Sequence, residues 1–547
     1  MGYKRFKDPI YGYIEIDESL IRKIVDTAIF QRLRDIVQTS YAPLYSSAVH
    51  NRFVHSLGVY HLGRIAGKSF RRSLKKQKSN IFPSIQKCFR IFELACLLHD
   101  VGHAPFSHTG EIFYLDKGGR AQLHKTLIDL IGDFQLTKEI ENYSYKAAPH
   151  EIMSVIISLR MFSGIIPDDM KSFFARCITG YKYVNEMTVM KSCMNCFIEL
   201  LNSKIIDVDK MDYLLRDSYM IGFDTVSVDY IRLLDSICVV EDEQGFFRIC
   251  YYKAAISVIE NVVYAHDAER KWIQNHPIVL YDAYLIENII GEIVHQILKN
   301  NQLSEDLLTE QGKKIADFGV IRLMGDSDIR YLMKNLPDCS YAGEYYERNI
   351  RKHPIWKTEA EFQAIFQGKE KELEVIENEF ESLRTYLRSV GLPFVINKTA
   401  LIACQGEVKQ IRESEKSLCG IELAKNKATL EIRKKHLKWM EILEEFSLQE
   451  DIDFNFLIIY ANQFNSGFRK QEFGDIEMIF PELKVPCKFS EVTNVLTSQK
   501  SKGEKFFFLY YARKYPGQNV RIAKLIKEML QYANTIHVEK STEERLI

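Results

Sequence analysis

The chain has 547 residues, of which 46% are apolar and 27% charged, and its 73 basic residues balance 73 acidic ones. This is the composition of a globular protein with a large core, and it excludes a disordered chain and an overall attraction to polyanions. The eleven cysteines lack the paired spacing of zinc sites or disulfide frameworks, and the sequence has no apolar leader and no run of ~18 apolar residues. These features predict reduced thiols, a cytoplasmic location and no membrane span.

From about residue 18 to 300, apolar residues recur at three- and four-residue steps, which is typical of amphipathic helices. Examples are RFVHSLGVYHLGRIAGKSF, CFRIFELACLLHD, DKMDYLLRDSYMIG and YDAYLIENIIGEIVHQIL. One stretch, SICVVEDEQGFFRICYY at 236–252, instead predicts a pair of strands that turns at Gln244-Gly245. The basic run RRSLKKQK, from Arg71 to Lys78, indicates a solvated helix end, with a nucleic-acid or subunit contact as the alternative.

Residues 359–446 have a different character, because they are highly charged and carry a coiled-coil-like seam. The seam residues are Leu373, Ile376, Phe380, Leu383 and Leu387. A second helix, GIELAKNKATLEIRKKHLKWMEILEEF, follows a link near Gly391–Pro393, so the sequence predicts a helical hairpin. We expect it either to pack against the rest of the protein or to dock a protein partner.

After residue 450, the segments DFNFLIIYANQF, EMIF and KFFFLYYARK have the apolar and aromatic content of strands. NVRIAKLIKEMLQYA then has the period of a closing helix. Together they predict a small α+β lobe.

The residues that indicate chemistry are histidines and aspartates on three predicted helices: His55, His99-Asp100 and Asp209. His55 and His99 lie in apolar helices, where an unpaired imidazole is costly to bury. A mixed set of imidazoles and carboxylates with open positions suits Mn, Fe, Mg or Ni, and it can also accept Zn. The sequence therefore predicts a divalent metal site at these four residues.

The last of these residues begins an acidic helical face. Asp209, Asp212, Tyr213 and Asp217 are spaced i, i+3, i+4 and i+8, so they share one side of the helix. Two of the three acids can hold water or a ribose hydroxyl beside a metal, and Tyr213 can stack on a sugar. A solvated acidic face is the alternative interpretation.

The motifs HNRFVHSLGV, LLHDVGHAPFSH, APHE and DVDKMDYLLRD resemble those of the HD-domain dNTP triphosphohydrolases, the family of the sterile-alpha-motif/HD-domain enzyme and the bacterial dGTPases. The N-terminal segment from Phe6 to Ser40 is also similar to that family. The resemblance covers residues 4–300 well and 300–358 loosely. It implies a mainly α protein: an HD-type domain at 1–358, the helical insertion at 359–446, and the small α+β lobe at 447–547.

By this resemblance, the metal ligands are His55, His99, Asp100 and Asp209, and the substrate is a deoxynucleoside triphosphate. The family's phosphate-gripping arginine falls on Arg52, where a guanidinium fork suits phosphate oxygens. The other substrate-binding positions of the family fall on Gln38, Lys210, Tyr213 and Asp217.

The family's active-site histidines fall on His103, His108 and His150, and Glu111 takes the place of the acid that orients the third. Hydrolysis of a triphosphate ester needs an activated water and a proton for the leaving oxygen. We assign proton transfer to His108 and His150 and α-phosphate stabilisation to His103. Structural roles for His103 or His108, as loop caps, are the alternative.

Between 264 and 285 the family has residues that contact the triphosphate and the base. AERKWIQNHPIVLYDAYL offers Arg270, His276 and Tyr281 there, but with a different spacing. The residues that bind the triphosphate and those that select the base therefore cannot be predicted from this segment.

Enzymes of this family assemble as oligomers with nucleotides at subunit interfaces. The matching residues are Lys4, Arg5, Asp26 and Arg34. The three basic residues can pair with phosphates, and Asp26 can accept hydrogen bonds from a guanine edge. The resemblance thus implies a dimer or larger assembly with a nucleotide activator, whereas a helix cap at Asp26 and a surface ion pair at Arg34 are the structural alternative.

The leading hypothesis is metal-dependent hydrolysis of a dNTP to deoxynucleoside and inorganic triphosphate, in dNTP homeostasis or antiviral defence. An HD-type phosphodiesterase or nuclease acting on nucleic acid or a cyclic nucleotide is the alternative enzyme. A nucleotide-sensing scaffold that signals through 359–446 is the non-enzymatic alternative.

Overall fold

The computed structural model describes residues 2–39, 44–76, 81, 84–114, 119–142, 147–203, 206–223, 228–300, 324–335, 339–392, 394–415, 419–461, 476–480, 482, 486–493 and 506–546. Over these residues the chain is mainly α-helical with three small sheets, which confirms the predicted fold class. No helix in this part of the chain is both long enough and apolar enough to cross a bilayer.

The helices fall in the ranges expected from the apolar periodicity, with many shorter ones between. The α-helices are Glu18–Leu20, Ala28–Gln31, Arg52–Lys76, Gln86–Leu98, Gly119–Ile131, Phe134–Asn142, Pro149–Met161, Lys171–Thr179, Val189–Leu201, Val208–Ile221, Tyr230–Asp235, Ile256–Glu269, Pro277–Asn300, Asp326–Asn335, Ser340–Tyr346, Glu359–Ile365, Glu370–Ser389, Lys398–Ser414, Gly420–Gln449, Phe489–Val492 and Ile522–Leu546. Turns of 3-10 helix lie at Arg32–Asp35, Ser107–Tyr114, Asp168–Met170, Lys253–Ala255 and Arg348–Ile350, and π-helical turns at Ile21–Val25 and Arg270–Gln274.

The strands are β1 (Tyr3–Asp8), β2 (Gly12–Asp17), β3 (Ile237–Glu241), β4 (Phe247–Tyr252), β5 (His353–Pro354), β6 (Val395–Asn397), β7 (Asp453–Tyr460), β8 (Glu477–Ile479), β9 (Cys487–Lys488) and β10 (Phe507–Ala512). They form a β1-β2 hairpin, a β3-β4-β8-β9 sheet and a β5-β10-β7-β6 sheet. The predicted strands near 236–252, 453, 477 and 507 are confirmed. The β1-β2 hairpin was not predicted.

The described contacts divide the chain into two compact units. The first comprises Met1–Gln274, Asp282–Ala342 and Ser466–Gln499, and the second comprises Asn275–Tyr281, Gly343–Asn465 and Lys500–Ile547. The predicted boundaries at 358 and 446 do not coincide with these units. In particular, β8 pairs in parallel with β4, so this part of the predicted C-terminal lobe belongs to the first unit.

The first unit is built around the helix Arg52–Lys76, which packs against the helices Gln86–Leu98 and Val208–Ile221. One side of its core is aromatic, and the Phe70 ring meets Phe197 edge-on with ring centroids 4.6 Å apart. Burying each such side chain contributes about 1.5–3 kcal/mol. The helix Gln86–Leu98 is apolar and ends at His99, so the core places the His99-Asp100 pair at the helix end.

The second unit has its sheet covered by helices from the predicted insertion. Phe380 stacks on Phe507 of β10 with ring centroids 5.0 Å apart and contacts Trp439 at 5.3 Å. Because both aromatic partners of Phe380 are buried, residues 359–446 supply part of this unit's core.

The short helix Glu359–Ile365 begins the segment predicted as a hairpin, and three longer helices follow it where two were predicted: Glu370–Ser389, Lys398–Ser414 and Gly420–Gln449. The middle helix was missed because its buried face includes small side chains, Ala400 and Cys404, and therefore has a weak apolar period. Asn397 caps it, with its Oδ1 accepting the Ala400 N–H at 3.0 Å. Pro393, which marked the predicted link, lies outside the described residues.

Candidate active site and metal centre

His55 is fully buried on the first turns of the helix Arg52–Lys76, and its two ring nitrogens have different partners. Nδ1 lies 2.7 Å from Asp212 Oδ2, and because an ionised carboxylate only accepts, Nδ1 is the donor. Nε2 lies 3.0 Å from Asp209 Oδ1 and 3.2 Å from His99 Nε2. Nε2 is therefore the nitrogen that faces the other predicted metal ligands.

His99 is oriented in the same way. Its Nδ1 donates to the Cys96 carbonyl at 3.0 Å, which leaves Nε2 as the ligating nitrogen. His99 Nε2 lies 3.4 Å from Asp100 Oδ1 and 3.5 Å from Asp209 Oδ1. The ligand atoms of His55, His99 and Asp100 lie within 4.8 Å of one another, and Asp209 contacts both histidines, so these residues fit one divalent cation.

The electrostatics of this cluster favour a bound cation. Burial disfavours a protonated His55, but hydrogen bonds to Asp209 and Asp212 outweigh it and raise the pKa of His55 to about 9. Burial likewise disfavours an ionised Asp100, yet the Arg52 guanidinium and His99 hold its pKa well below its usual range. The site therefore attracts positive charge, which a metal supplies by displacing the His55 proton.

Asp212 lies behind the cluster and does not face a substrate. Besides His55, its carboxylate accepts from the Tyr11 hydroxyl at 2.7 Å and from two Arg216 nitrogens at 2.9 Å. Arg216 also pairs with Asp8 at 3.0 Å. Of the three acids of this helical face, Asp212 is therefore committed to other contacts, because it is fully buried and its oxygens orient His55 and bind Arg216.

A glycine makes this arrangement possible. Gly58, one turn after His55, faces Asp212 and Arg216, and a Cβ at this position would overlap the Asp212 carboxylate. The close approach of the helices Arg52–Lys76 and Val208–Ile221 depends on its missing side chain.

Arg52 is buried and links the metal cluster to the loop that follows it. It donates to Asp100 Oδ2 at 2.7 Å, to Ser107 Oγ at 2.9 Å and to the Gln38 carbonyl at 3.0 Å. The Gln38 side chain is also buried, and its Oε1 has no hydrogen-bond partner among the described residues. A phosphate contact by Arg52 would use the N–H groups that remain.

A second cluster contains the predicted catalytic residues His103, His108, Glu111 and His150, whose ligand-type atoms also lie within 4.8 Å of one another. Glu111 Oε1 is 3.0 Å from His108 Nδ1 and 2.6 Å from His150 Nδ1. The His103 and His150 rings stack with centroids 4.1 Å apart. His103 Nε2 lies 3.2 Å from Asp100 Oδ1, which joins this cluster to the metal cluster.

The three histidines differ in their pKa values. Burial lowers the pKa of His103 well below its usual range, and desolvation also lowers that of His108, although its side chain is 65% exposed. At His150 burial acts in the same direction, but the hydrogen bond and charge of Glu111 prevail and raise its pKa. Burial opposes ionisation of Glu111 as well, but the bonds from His108 and His150 lower its pKa. Glu111 thus favours the protonated form of His150, whereas His103 and His108 favour the neutral form.

The remaining residues of the helix Val208–Ile221 lie beside these clusters. Lys210 Nζ donates to Asp207 at 2.8 Å and to the Ser203 carbonyl at 2.8 Å, and Tyr213 is half-buried. Asp217 is buried and contacts His50 Nε2 at 2.6 Å. His50 was not predicted, although it stands two residues before Arg52 in the same motif.

The structure gives other partners to the predicted residues between 264 and 285. Arg270 pairs with Asp267 at 3.2 Å. His276 belongs to the second unit, where its Nδ1 accepts the Ile278 N–H at 3.2 Å. Tyr281, also in the second unit, bonds to Glu344. Their substrate roles stay predictions.

The predicted regulatory residues lie near the N-terminus on exposed positions. Arg5 on β1 pairs with Glu15 on β2 at 2.8 Å, and Lys4 lies 5.7 Å from the Phe6 ring. Arg34 stacks its guanidinium 3.5 Å from the Phe53 ring centroid. Asp26 is exposed, and Thr27 occupies the N-cap position of the next helix, so a capping role does not account for Asp26.

The comparisons with known proteins agree with this geometry. Residues 52–153 match the model of the HD domain. The deoxynucleoside triphosphate triphosphohydrolase SAMHD1 homolog of Dictyostelium discoideum is 31% identical over 307 residues, which are 55% of this chain and 52% of that protein. The SAMHD1 enzyme of Mus musculus is 32% identical over 311 residues, 54% of this chain and 41% of that protein.

A solved phosphohydrolase from Bacteroides thetaiotaomicron has the same fold, with a TM-score of 0.53 at 16% identity over 93% of this chain and 100% of that chain. The chain spans about half the length of the curated relatives it matches. Residues 52–153 are thus similar to the HD domain, and the chain is similar to the dNTP triphosphohydrolases, as the motifs predicted.

Proposed function

We propose that the protein is a metal-dependent hydrolase that cleaves a deoxynucleoside triphosphate into deoxynucleoside and inorganic triphosphate. The observation that carries this proposal is the contact between the two clusters, Asp100 to His103 at 3.2 Å. This contact supports the proposal because the metal-binding set and the proton-donating set are adjacent, so that both could act on one phosphate. The names of the similar proteins in Dictyostelium discoideum and Mus musculus support the same reaction.

In this proposal His55, His99, Asp100 and Asp209 hold a divalent ion, with Mn, Fe or Mg favoured and Zn or Ni also compatible. When bound, such an ion polarises the α-phosphate and makes a water molecule more acidic. Arg52 binds phosphate oxygens beside it. Asp212 keeps His55 in the tautomer whose Nε2 faces the ligands.

The proton for the leaving 5′-oxygen comes from the His108–Glu111–His150 group in this account. Glu111 favours the protonated form of His150 because it raises that imidazole's pKa. The His108 side chain is 65% exposed, so it can reach a bound substrate, and it shares Glu111 with His150. His103 is neutral, so its contribution to the α-phosphate is an N–H hydrogen bond and not a full charge.

The deoxyribose would lie against the helix Val208–Ile221. Asp217 is oriented by His50 and can accept from a sugar hydroxyl, and Tyr213 can stack on the ring. Gln38 lies next to Arg52, which donates to the Gln38 carbonyl. The Gln38 Oε1, which has no partner among the described residues, can accept a hydrogen bond from the substrate. Lys210 adds positive charge near the phosphates.

Regulation forms a separate part of the proposal. Lys4, Arg5, Asp26 and Arg34 would bind an activating nucleotide in a dimer or larger assembly. The exposed positions of Asp26 and Arg34 support this, because an exposed side chain is accessible to a ligand. A cytoplasmic role in dNTP homeostasis or antiviral defence follows from the reaction, and docking of a protein partner on 359–446 also stays a proposal.

The test is to incubate the protein with each of the four dNTPs and, separately, the four ribonucleotides, in Mn²⁺ or Mg²⁺. We expect at least one dNTP to yield deoxynucleoside and tripolyphosphate in equal amounts by anion-exchange chromatography. His108→Ala, purified with its metal, should show a much lower rate. Cleavage of oligonucleotides or cyclic nucleotides, with all dNTPs intact, would instead identify the chain as a phosphodiesterase.

A further inference from the structure

The loop between His103 and His108, residues 104–107, has an unusual backbone. Phe106 and Ser107 have φ values of 58° and 55°, in the left-handed region that side chains other than glycine rarely adopt. Such a conformation costs free energy and persists only where its surroundings hold it. We call residues 104–107 the histidine loop.

Asp326, 220 positions further along the chain, holds this loop from outside the active site. It is buried to 1% exposure, and its Oδ1 accepts the Phe106 N–H at 2.6 Å. Its Oδ2 accepts the Val37 N–H at 3.2 Å. One carboxylate therefore joins the histidine loop to the segment that precedes Gln38.

The two backbone segments that Asp326 joins are those that flank Arg52. Ser107 Oγ donates to the Val37 carbonyl and accepts from Arg52 Nε at 2.9 Å. Arg52 also donates to the Gln38 carbonyl at 3.0 Å. A displacement of Phe106 or Val37 therefore moves the groups that aim Arg52 at Asp100.

The segment that carries Asp326 is itself fixed to the same surroundings. Arg32 donates to the carbonyls of Met324, Val101 and His103, at 3.0, 3.1 and 2.8 Å. The Ser327 N–H donates to Asp35 at 3.2 Å. The Arg330 guanidinium lies 5.1 Å from the Phe106 ring centroid. Met324, Ser327 and Arg330 thus fix the segment that carries Asp326 beside the histidine loop.

We infer that Asp326 is a positioning residue of the proposed hydrolase: it holds the histidine loop in its left-handed conformation and so sets the directions of His103, His108 and Arg52. This inference rests on the proposed function for its effect on rate. The geometric part, that Asp326 fixes the loop, does not depend on any activity. Asp326 acts through the backbone amides of Phe106 and Val37, and its Oδ2 also lies 3.7 Å from the Arg330 guanidinium.

The test compares Asp326→Ala and Asp326→Asn with the wild type, in full-length protein with its metal. For Asp326→Ala we expect kcat to fall about a hundredfold, because small displacements of catalytic groups cost that much. KM should rise as well, because the loop and the Val37 segment also hold Arg52, the proposed phosphate-binding residue. Asp326→Asn retains one acceptor oxygen, so its kcat should lie between those of wild type and Asp326→Ala. Metal content should be equal in all three proteins.

A second readout needs no substrate. Hydrogen–deuterium exchange at the Phe106 and Val37 amides should become faster by about tenfold or more in Asp326→Ala. Asp328→Asn is the matched control, since it removes a carboxylate charge from the same helix. The Asp328 carboxylate accepts the Gly325 N–H at 2.7 Å and bonds to neither Phe106 nor Val37. It should leave both amides protected and kcat unchanged, whatever it does to the melting temperature.

A folded Asp326→Ala protein with wild-type kcat, or with both amides still protected, would overturn the inference. Equal losses of kcat in the Asp326 and Asp328 variants would also overturn it, because they would indicate general destabilisation. If Asp326→Ala does not fold, Asp326→Asn provides both readouts. If the wild type hydrolyses no dNTP, the proposed function fails, whereas the exchange data still decide whether Asp326 fixes the loop.

Discussion

His55 and Asp212 form the contact on which the metal centre depends: His55 Nδ1 lies 2.7 Å from Asp212 Oδ2, and both side chains are fully buried. Because Asp212 is ionised and accepts, it fixes the proton of neutral His55 on Nδ1 and leaves Nε2 for a cation. Asp212 is held in turn by Arg216 and Tyr11. The orientation of one metal ligand is thus set by residues that touch no substrate.

The first prediction concerns Asp212→Asn. It keeps the side-chain volume but removes the charge that orients His55, so metal affinity should fall about 10–100-fold. Titration of the metal-free protein with Mn²⁺ measures this. Asp217→Asn is the matched control, because the same change on the same helix is made beside His50 and should leave Mn²⁺ affinity unaltered. Equal affinities for wild type and Asp212→Asn would contradict the assigned role.

The second prediction separates metal binding from proton transfer. His55→Ala should lose both bound metal and turnover, because it removes one donor and leaves buried acids short of a partner. His108→Ala should keep the metal and lose rate, since its Nδ1 contacts Glu111. Elemental analysis of both purified proteins, beside their rates, measures the difference. Loss of metal in His108→Ala would show that His108 is a ligand.

The third prediction is a pH dependence. Burial lowers the pKa of His150 and Glu111 raises it, and Glu111 prevails. Turnover should therefore fall as pH rises through the pKa of folded His150. In Glu111→Gln burial is no longer opposed by the charge, so the alkaline decline in kcat should move to lower pH. An unshifted decline, with metal content unchanged, would exclude His150 as the group that must hold a proton.

The contact between His150 and Glu111 also makes the stability of the fold depend on pH. The raised pKa of His150 stabilises the fold below its unfolded value of 6.5, and this stabilisation is lost as pH rises through the folded value. The lowered pKa of Glu111 stabilises the fold above 4.5 and is lost as pH falls through the folded value. Both contributions are fully present between the two unfolded pKa values, 4.5 and 6.5. The melting temperature of wild type should therefore exceed that of Glu111→Gln most between pH 4.5 and pH 6.5. A constant difference across pH would contradict this coupling.

The fourth prediction concerns activation. If Asp26 and Arg34 bind a regulatory nucleotide, hydrolysis of one dNTP should rise when a second nucleotide is added to the oligomeric protein. The double substitution Asp26→Ala with Arg34→Ala should abolish that rise and leave metal content intact, because both residues are exposed. Rates measured with each nucleotide added in turn provide the test. Hyperbolic kinetics that no added nucleotide changes, identical in the double variant, would reject the regulatory site.

The long helices and the metal residues could be predicted because their signals are local. Apolar periodicity marks the helices on which His55 and Asp209 lie, and the His99-Asp100 pair follows directly from the end of a third. The strand pair at 236–252 is confirmed for the same reason, since its turn residue Gly245 has a φ of 81°. Periodicity failed at Lys398–Ser414, where small buried residues give a weak pattern.

The supporting residues could not be predicted because their partners are distant in sequence. Asp326 meets Phe106 across 220 positions, and Tyr11 meets Asp212 across 201. Such contacts leave no spacing to read in a single sequence. The contact between Arg216 and Asp212 could have been predicted, because the two residues are four positions apart and share one helical face.

The proposed reaction is tested most directly by running it in ¹⁸O-labelled water and determining where the label goes. In the proposed reaction, water attacks the α-phosphorus and the bond between this phosphorus and the 5′-oxygen breaks. We therefore predict unlabelled deoxynucleoside and one ¹⁸O atom in the inorganic triphosphate. Mass spectrometry of both products measures this, with the Asp209→Ala protein as the blank. Orthophosphate or pyrophosphate as the main product, or label in the deoxynucleoside, would contradict it.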